Sequence, residues 1–158
     1  MRILVFSDSH KDIINCIKTT KNIIGVNMII HAGDHASDAM ELKKLFPDID
    51  IRFVQGNCDF STAPQEQIIE ADAKKIFLTH GHLYNVKNEH DYRTIKQKGY
   101  SLGCDLVVFG HTHIPYNENF GDIILLNPGS AKTSRTFGVI ETENDRLRTA
   151  ICEFNNNM

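Results

Sequence analysis

The N-terminal part of the chain alternates short apolar runs with amphipathic segments, and this pattern limits the folds that it can adopt. The apolar runs Arg2–Phe6, Met28–Ile30 and Ile51–Val54 are typical of strands. Apolar positions at helical spacing predict helices from Asp12 to about Ile24 and from Ser37 to Pro47. A strand–helix–strand–helix–strand order implies right-handed crossovers between parallel strands, so the pattern predicts an α/β fold.

The remainder of the chain is richer in strands. The pattern predicts a hairpin around Asp72, a weak helix from Glu89 to about Leu102, and strands at Asp105–Phe109, Asp122–Leu126, Thr136–Glu141 and Leu147–Glu153. A turn is expected at Asn144-Asp145, and residues 155–158 are expected to be a frayed tail. Together these elements predict one domain over residues 1–158, with two mixed β-sheets packed as a sandwich and helices on the outside.

Composition argues against several functional classes. The chain has 158 residues, a net charge of −3 and no basic stripe, so no specific nucleic-acid site is expected. No apolar run approaches the ~18 residues that a membrane span needs. The four cysteines are scattered without a Cys-x-x-Cys pair, which favours reduced thiols and a cytoplasmic location. The sequence leaves the oligomeric state open, although the edges of the terminal strands could pair in a homo-oligomer.

Side chains that bind metals cluster where the predicted strands end. The candidate donors are Asp8, His10, Asp34, Asn57, His80, His111 and His113. Open α/β sheets place their ligands at the carboxyl ends of strands. A mixture of hard oxygens and imidazoles suits Mn, Fe, Ni, Zn or Co better than Ca, which prefers oxygen alone. Seven donors exceed the needs of one tetrahedral ion and fit two ions that share a carboxylate, an arrangement used in phosphoester hydrolysis.

One of these clusters, Gly110-His111-Thr112-His113, directly follows an apolar strand. Glycine permits a sharp turn and a close approach to another part of the chain. In extended backbone, residues i and i+2 project to the same side. The sequence therefore predicts that His111 and His113 point together and chelate a metal.

The ordered set Asp8-x-His10, Gly33-Asp34, Gly56-Asn57-Cys58-Asp59, His80-Gly-His82 and Gly110-His-Thr-His113 resembles the calcineurin-like metallophosphoesterase superfamily. The short chain, the Gly-Asn-Cys-Asp form and the later Asn127-Pro-Gly-Ser130 are similar to its small prokaryotic phosphodiesterase branch. The retromer scaffold subunit shares that fold. The resemblance implies a four-layer fold and the hydrolysis of P–O bonds by a hydroxide that bridges two divalent ions.

Carried over position by position, the resemblance implies two ion sites. Asp8, His10 and His113 would hold the first ion, Asn57, His80 and His111 would hold the second, and Asp34 would bridge them. His111 and His113 would then serve different ions. The implied catalytic residues are Asp34, Asn57 and His82, and the implied substrate contacts are His82, Ser130 and Arg135. Manganese is the metal that the resemblance favours, and Ni, Zn, Fe and Co remain open.

The chain departs from larger members of that superfamily at Cys58, where they carry a histidine that is thought to help protonate the leaving group. A thiol is a poor proton source near its ordinary pKa of ~8.5. This departure suggests a preference for phosphoesters with good leaving groups, such as aryl esters. Two alternatives stay open: a phosphomonoesterase or nucleotidase, and a protein-binding scaffold that has lost the chemistry. His31 is expected to be a buried or orienting group, and Asp59 to cap a loop or orient an imidazole.

Overall fold

The computed structural model of the protein describes residues 1–143 and 145–155. The predicted turn residue Asn144 and the predicted tail residues 156–158 lie outside the described residues. In order along the described chain, the elements are β1 (Arg2–Phe6), α1 (Ile14–Asn22), β2 (Met28–His31), α2 (Ala36–Leu45), β3 (Asp50–Phe53), β4 (Glu66–Ala71), β5 (Lys74–Thr79), a short 3₁₀ helix (His82–Tyr84), α3 (Arg93–Ser101), β6 (Leu106–Val108), β7 (Tyr116–Asn119), β8 (Ile124–Asn127), β9 (Thr136–Glu143) and β10 (Arg146–Glu153).

These strands form two mixed sheets. The first has the order β10-β9-β1-β2-β3, in which β1, β2 and β3 are parallel and β9 runs antiparallel to both of its neighbours. The second has the order β4-β5-β6-β8-β7, in which β5, β6 and β8 are parallel and the two edge strands are antiparallel. The predicted α/β architecture of two mixed sheets is confirmed.

The strand register brings the loops that follow the parallel strands to the same edge of each sheet. In the first sheet Phe6 pairs with His31, which in turn pairs with Phe53. In the second sheet Leu78 and Leu126 both align with Val108. Within each sheet, the polar segments that follow these parallel strands therefore begin at the same level along the strand direction.

Alternating side chains create the layers of the fold. On β1, Ile3 and Val5 pack against the second sheet, in a cluster that also contains Leu78 and Val108. On the opposite face of β1, Leu4 and Phe6 pack with residues of α1 and α2. A third cluster joins α3 to the outer face of the second sheet. Because the inner strands β1, β2, β6 and β8 are covered on both faces, their sequences are almost continuously apolar.

The helix boundaries differ from the prediction. Helix α1 has no side-chain cap from Asp12, and it ends at Asn22 because Ile23 is extended. The helical spacing that would bury Ile24 is lost there, and Ile24 is 87% exposed. Helix α2 begins at Ala36, one residue before the expected cap Ser37. Strand β7 was not predicted at all, since its residues are polar and largely exposed. Among the described residues, no helix has the length and hydropathy that crossing a membrane requires.

Candidate metal centre

The segments that follow β1, β2 and β6 bring four metal-binding side chains together. Donor atoms of Asp8, His10, Asp34 and His113 all lie within 4.8 Å of one another. Nε2 of His113 is 3.0 Å from Oδ1 of Asp8, and the ring centroids of His113 and His10 are 5.4 Å apart. Asp8 is fully buried, so this first group is anchored below the surface.

A second group of donors lies around His80, which directly follows β5. Its Nε2 is 3.1 Å from Oδ1 of Asn57 and 3.3 Å from Oδ1 of Asp34. The ring centroids of His80 and His111 are 5.0 Å apart. On the other side of the His80 ring, Nδ1 lies 2.7 Å from the carbonyl oxygen of Ala32. That carbonyl can only accept, so Nδ1 carries the proton and Nε2 faces the donor group.

Asp34 lies between the two groups and presents a different oxygen to each. Its Oδ2 is 3.8 Å from Nε2 of His10, whereas its Oδ1 is 3.3 Å from Nε2 of His80. The backbone N–H of Cys58 also donates to Oδ1, at 3.0 Å. One carboxylate thus faces both groups, which is the geometry that a bridging ligand requires.

The backbone that carries these donors is unusual. Five of the seven predicted ligands have positive φ values, namely Asp8 (52°), His10 (44°), Asp34 (55°), His111 (68°) and His113 (61°). Residues other than glycine rarely adopt this left-handed conformation, and such strain is concentrated at functional sites. The expectation that His111 and His113 lie in extended backbone and point together is therefore wrong. The left-handed turns separate their rings, so that His111 faces His80 and His113 faces His10.

Glycines allow the loops to approach this closely. A β-carbon on Gly110 would lie 2.0 Å from Oγ of Ser7 and 2.7 Å from Oδ2 of Asp8. A β-carbon on Gly56 would lie 2.1 Å from Oδ1 of Asp34. Both distances are far shorter than a van der Waals contact, so no other residue fits at these positions without displacing its neighbours.

The unsatisfied polar atoms of the site fit bound cations. Oδ1 of Asp8 and Nε2 of His10 are buried and have no hydrogen-bond partner among the described residues. Burial raises the pKa of Asp8 to about 6 and lowers the pKa values of His80 and His111 to about 4, so at neutral pH the carboxylate is charged and both imidazoles are neutral. The Nε2 lone pair of His80 then faces the carboxylate oxygen of Asp34, and a cation between them would remove this repulsion.

Three further predicted residues differ in their surroundings. His82 lies beside the second group, with its ring centroid 5.5 Å from that of His80, and its Nδ1 is buried without a hydrogen-bond partner. Ser130 is fully buried, and its hydroxyl donates to the carbonyl oxygen of Asp8 at 2.8 Å. It supports the Asp8 loop and does not face solvent. Arg135 is exposed, and its backbone pairs with Ser130 and Phe154.

Two side chains near the site, those of Asn127 and Lys132, were not predicted from the sequence to support its loops. Asn127 is fully buried and donates to the carbonyl oxygen of Gly110 and to Oγ1 of Thr112, so it holds the His111–His113 loop. Nζ of Lys132 lies 3.4 Å from the carbonyl oxygen of His10. The Asn127-Pro-Gly-Ser130 motif marked this region, but nothing in the sequence indicated which of its side chains anchors which loop.

The hydrogen bonds of Asp59 and His31 indicate the roles of these two residues. Asp59 accepts from the backbone N–H of Ala36 at 2.7 Å and from that of Gly56 at 2.8 Å. It therefore caps helix α2 and closes its own loop, which agrees with the expected loop-capping role. His31 is fully buried and hydrogen-bonded to Ser9 and to the Gly33 backbone, in agreement with an orienting group.

The sequence comparisons agree on one family. The calcineurin-like phosphoesterase superfamily domain matches residues 1–145. The chain is similar to the probable metallophosphoesterase YsnB of Bacillus subtilis, with 31% identity over 154 residues that cover 92% of this chain and 86% of the relative. It is also similar to the phosphodiesterase YfcE of Escherichia coli, with 31% identity over 105 residues that cover 57% of this chain and 52% of the relative.

Solved structures show the same fold. A predicted phosphoesterase from Streptococcus pneumoniae TIGR4 superimposes with a TM-score of 0.78 at 24% identity, covering 99% of this chain and 94% of that chain. Vps29 of Entamoeba histolytica complexed with zinc superimposes with a TM-score of 0.74 at 19% identity, covering 98% and 100%. A novel archaeal phosphodiesterase gives a TM-score of 0.69 at 25% identity, covering 96% and 100%. The predicted family and fold are confirmed.

Proposed function

Because the chain belongs to the calcineurin-like phosphoesterase superfamily, we propose that it is a metal-dependent hydrolase that cleaves phosphodiesters at a site for two divalent ions. The observation that carries this proposal is the position of Asp34, whose two oxygens face two separate groups of donors. The phosphodiesterases among its sequence relatives and structural neighbours support the choice of diesters. A phosphoester with a small organic group is the proposed substrate.

In this proposal the donors divide between two ions. The first is held by Asp8, His10 and His113, the second by Asn57, His80 and His111, and both by Asp34. When bound, two divalent ions would supply a water of lowered pKa and neutralise the charge of the phosphoryl oxygens. Mn²⁺ is the ion we propose, and the donor set also accommodates Ni, Zn, Fe and Co.

The protein's own groups perform the remaining tasks. His82 has an imidazole nitrogen without a partner at the edge of the second group, so we assign it to contact with a substrate oxygen. We assign Ser130 to positioning Asp8 in place of the substrate contact that its motif suggested, because its hydroxyl is already occupied. The role of Arg135 in binding the substrate phosphate stays a prediction.

In this proposal the site lacks an effective acid to protonate the leaving group. The side chain of Cys58 is exposed, and the backbone N–H of this residue donates to Asp34. Partial burial and the neighbouring Asp34 carboxylate raise the pKa of the Cys58 thiol, which makes it a still weaker acid. We therefore expect faster hydrolysis of aryl esters than of alkyl esters. Cys58→His should narrow that gap by accelerating alkyl esters about 100-fold, at the low end of general acid catalysis. Unchanged alkyl-ester rates would show that leaving-group protonation is not what limits them.

Activity assays with defined metals test the proposal directly. Metal-free protein should be loaded separately with Mn²⁺, Ni²⁺, Zn²⁺, Fe²⁺ or Co²⁺ and assayed on matched diester and monoester substrates. Asp34→Asn keeps the size of the side chain but removes its charge, so we expect a rate loss larger than the roughly 10–100-fold that partners of metal ligands cost. If the protein loaded with each of these metals hydrolysed neither substrate, the proposed hydrolase activity would be wrong. Equal rates for wild type and Asp34→Asn would contradict the proposed two-ion site.

Two other functions are separated by the same assay. A phosphomonoesterase or nucleotidase would prefer the monoester in each pair. A protein-binding scaffold would hydrolyse neither substrate, and its only support is the fold shared with Vps29 at 19% identity. A scaffold would have no reason to keep all seven donors. We further propose that the chain forms one domain, because both sheets contribute to one apolar cluster, and that it acts in the cytoplasm, because its four cysteines are free thiols.

A further inference from the structure

We infer that Ser9, His31 and Asp38 form a buried hydrogen-bonded relay that positions the loop carrying Asp8 and His10, two ligands of the first ion that the second ion does not share. This inference rests on the proposed two-ion site. None of the three residues is among the predicted ligands, and all three lie below the surface, with exposed fractions of 0%, 0% and 5%. They join three separate parts of the chain, namely the loop after β1, the end of β2 and the first turn of α2.

The relay has a single consistent direction. Oγ of Ser9 donates to Oδ2 of Asp38 at 2.6 Å, which uses the only hydroxyl proton. The contact of 2.9 Å between Ser9 Oγ and Nε2 of His31 must then be donated by the imidazole. The same tautomer leaves Nδ1 of His31 free to accept from the backbone N–H of Gly33, at 3.3 Å. Every donor in the relay therefore has one acceptor, and the arrangement needs no charge on His31.

The position of Ser9 explains what the relay achieves. Ser9 lies directly between Asp8 and His10, two ligands of the first ion that both adopt left-handed backbone. The next residue, Lys11, is also left-handed, and its N–H donates to the same Asp38 oxygen at 2.8 Å. Asp38 thus fixes the strained loop at two points, and His31 donates a further hydrogen bond to the Ser9 hydroxyl. This is how an outer hydrogen-bond partner orients a metal ligand.

The relay is connected to the second ion only indirectly, through the residues that follow His31: Ala32 holds His80, and Gly33 precedes the shared ligand Asp34. None of the relay's hydrogen bonds described above reaches Asn57, His80 or His111. His80 follows β5 and is held instead by the carbonyl oxygen of Ala32. A residue with a merely structural role would weaken the whole protein, whereas the relay should change the affinity of one ion selectively.

Ser9→Ala provides the test, with Thr20→Val as a matched control. Thr20 is 5% exposed and donates to the carbonyl oxygen of Cys16 at 2.8 Å within α1, so its replacement removes a buried hydroxyl hydrogen bond away from the site, whereas Ser9→Ala removes two. His31→Gln serves as the rescue variant, because the glutamine amide can donate to Ser9 from nearly the same place. Zn²⁺ alone is titrated into each metal-free protein. The imidazole ¹⁵N resonances of His10 and His113 report the first ion, and those of His80 and His111 report the second.

In Ser9→Ala we expect the first ion to bind about 10-fold more weakly and the second ion to change less than about 2-fold. His31→Gln should lie close to wild type, and Thr20→Val should change the affinity of neither ion although its unfolding free energy also falls. Equal weakening of both ions in Ser9→Ala, or of neither, would overturn the inference while leaving the proposed function intact. A wild-type chain in which only one set of rings responds to Zn²⁺ would overturn the two-ion proposal, and the inference with it.

Discussion

The two halves of the proposed metal centre are built by different means. The first is anchored by Asp8, a fully buried carboxylate in left-handed backbone within a loop. The second is anchored by His80, a fully buried imidazole that continues a regular strand and is held by the carbonyl oxygen of Ala32. Of the three donors that belong to the second half alone, only His111 has a positive φ, whereas all three donors of the first half alone have one.

Because of this difference, we expect binding of the first ion to stabilise the folded protein more than binding of the second. A strained loop and a buried carboxylate cost free energy in the metal-free protein, and a cation that binds them returns it. A strand end costs little to fold with or without its ligand. We therefore expect the first half to limit the stability of the metal-free protein, and the second half to stay formed without an ion.

The largest effect should come from Asp8→Asn in metal-free protein. Burial raises the pKa of Asp8 to about 6 from its ordinary 3.8, so the folded state binds this proton more tightly than the unfolded chain. The resulting stabilisation is present below about pH 4 and is lost as the pH rises through about 6, and the loss amounts to about 3 kcal/mol. Asparagine stays neutral, so at pH 7.5 Asp8→Asn should be more stable than wild type by about that amount.

Urea unfolding in the presence of a chelator, at pH 4 and at pH 7.5, measures this difference. The lowered pKa values of His80 and His111 act in the opposite sense, since they add stability as the pH rises above about 4. They are present in both proteins and cancel in the comparison. A stability difference that is the same at both pH values would contradict the assignment to Asp8.

The next effect separates the two ions. His113→Ala should weaken the first ion about 100-fold and His111→Ala the second ion by a similar factor, because removing a ligand costs at least as much as removing the partner of one. Titration calorimetry with Mn²⁺ on each variant measures both affinities. If either variant bound both ions equally more weakly, the assignment of His113 to the first ion and His111 to the second would be contradicted.

A smaller effect tests the close packing of the loops. Gly110→Ala places a methyl group against Ser7 and Asp8, so it should cost about 2 kcal/mol of stability and weaken mainly the first ion. Gly56→Ala places one against the shared ligand Asp34, so it should weaken both. Gly25→Ala is the control, because no atom lies within 4 Å of its added methyl group and only the strain of its φ of 77° remains. Urea unfolding and Mn²⁺ titration measure the two consequences, and loss of the second ion in Gly110→Ala would contradict the comparison.

Much of the site could be predicted because it depends on strand order. Residues that follow parallel strands must meet at one edge of a sheet, so the spacing of Asp8, Asp34 and His80 after apolar runs was informative by itself. The limits of the helices were less predictable. Ile24 fits a helical period, but the helix stops before it, and polar Tyr116–Asn119 forms a strand only because β8 provides its partner.

The amino-acid sequence determined the α/β class, the order of the elements and the set of metal donors, because these follow from local periodicity and from residue chemistry. The tertiary structure alone decided which way the donor side chains face. The left-handed backbone of His111 and His113 runs against local preference, and it is held by Asn127, whose side chain contacts Gly110 and Thr112 across a gap in sequence. The Ser9–His31–Asp38 relay likewise exists only after β1, β2 and α2 have packed, since hydrogen bonds between distant residues leave no periodic trace in the sequence.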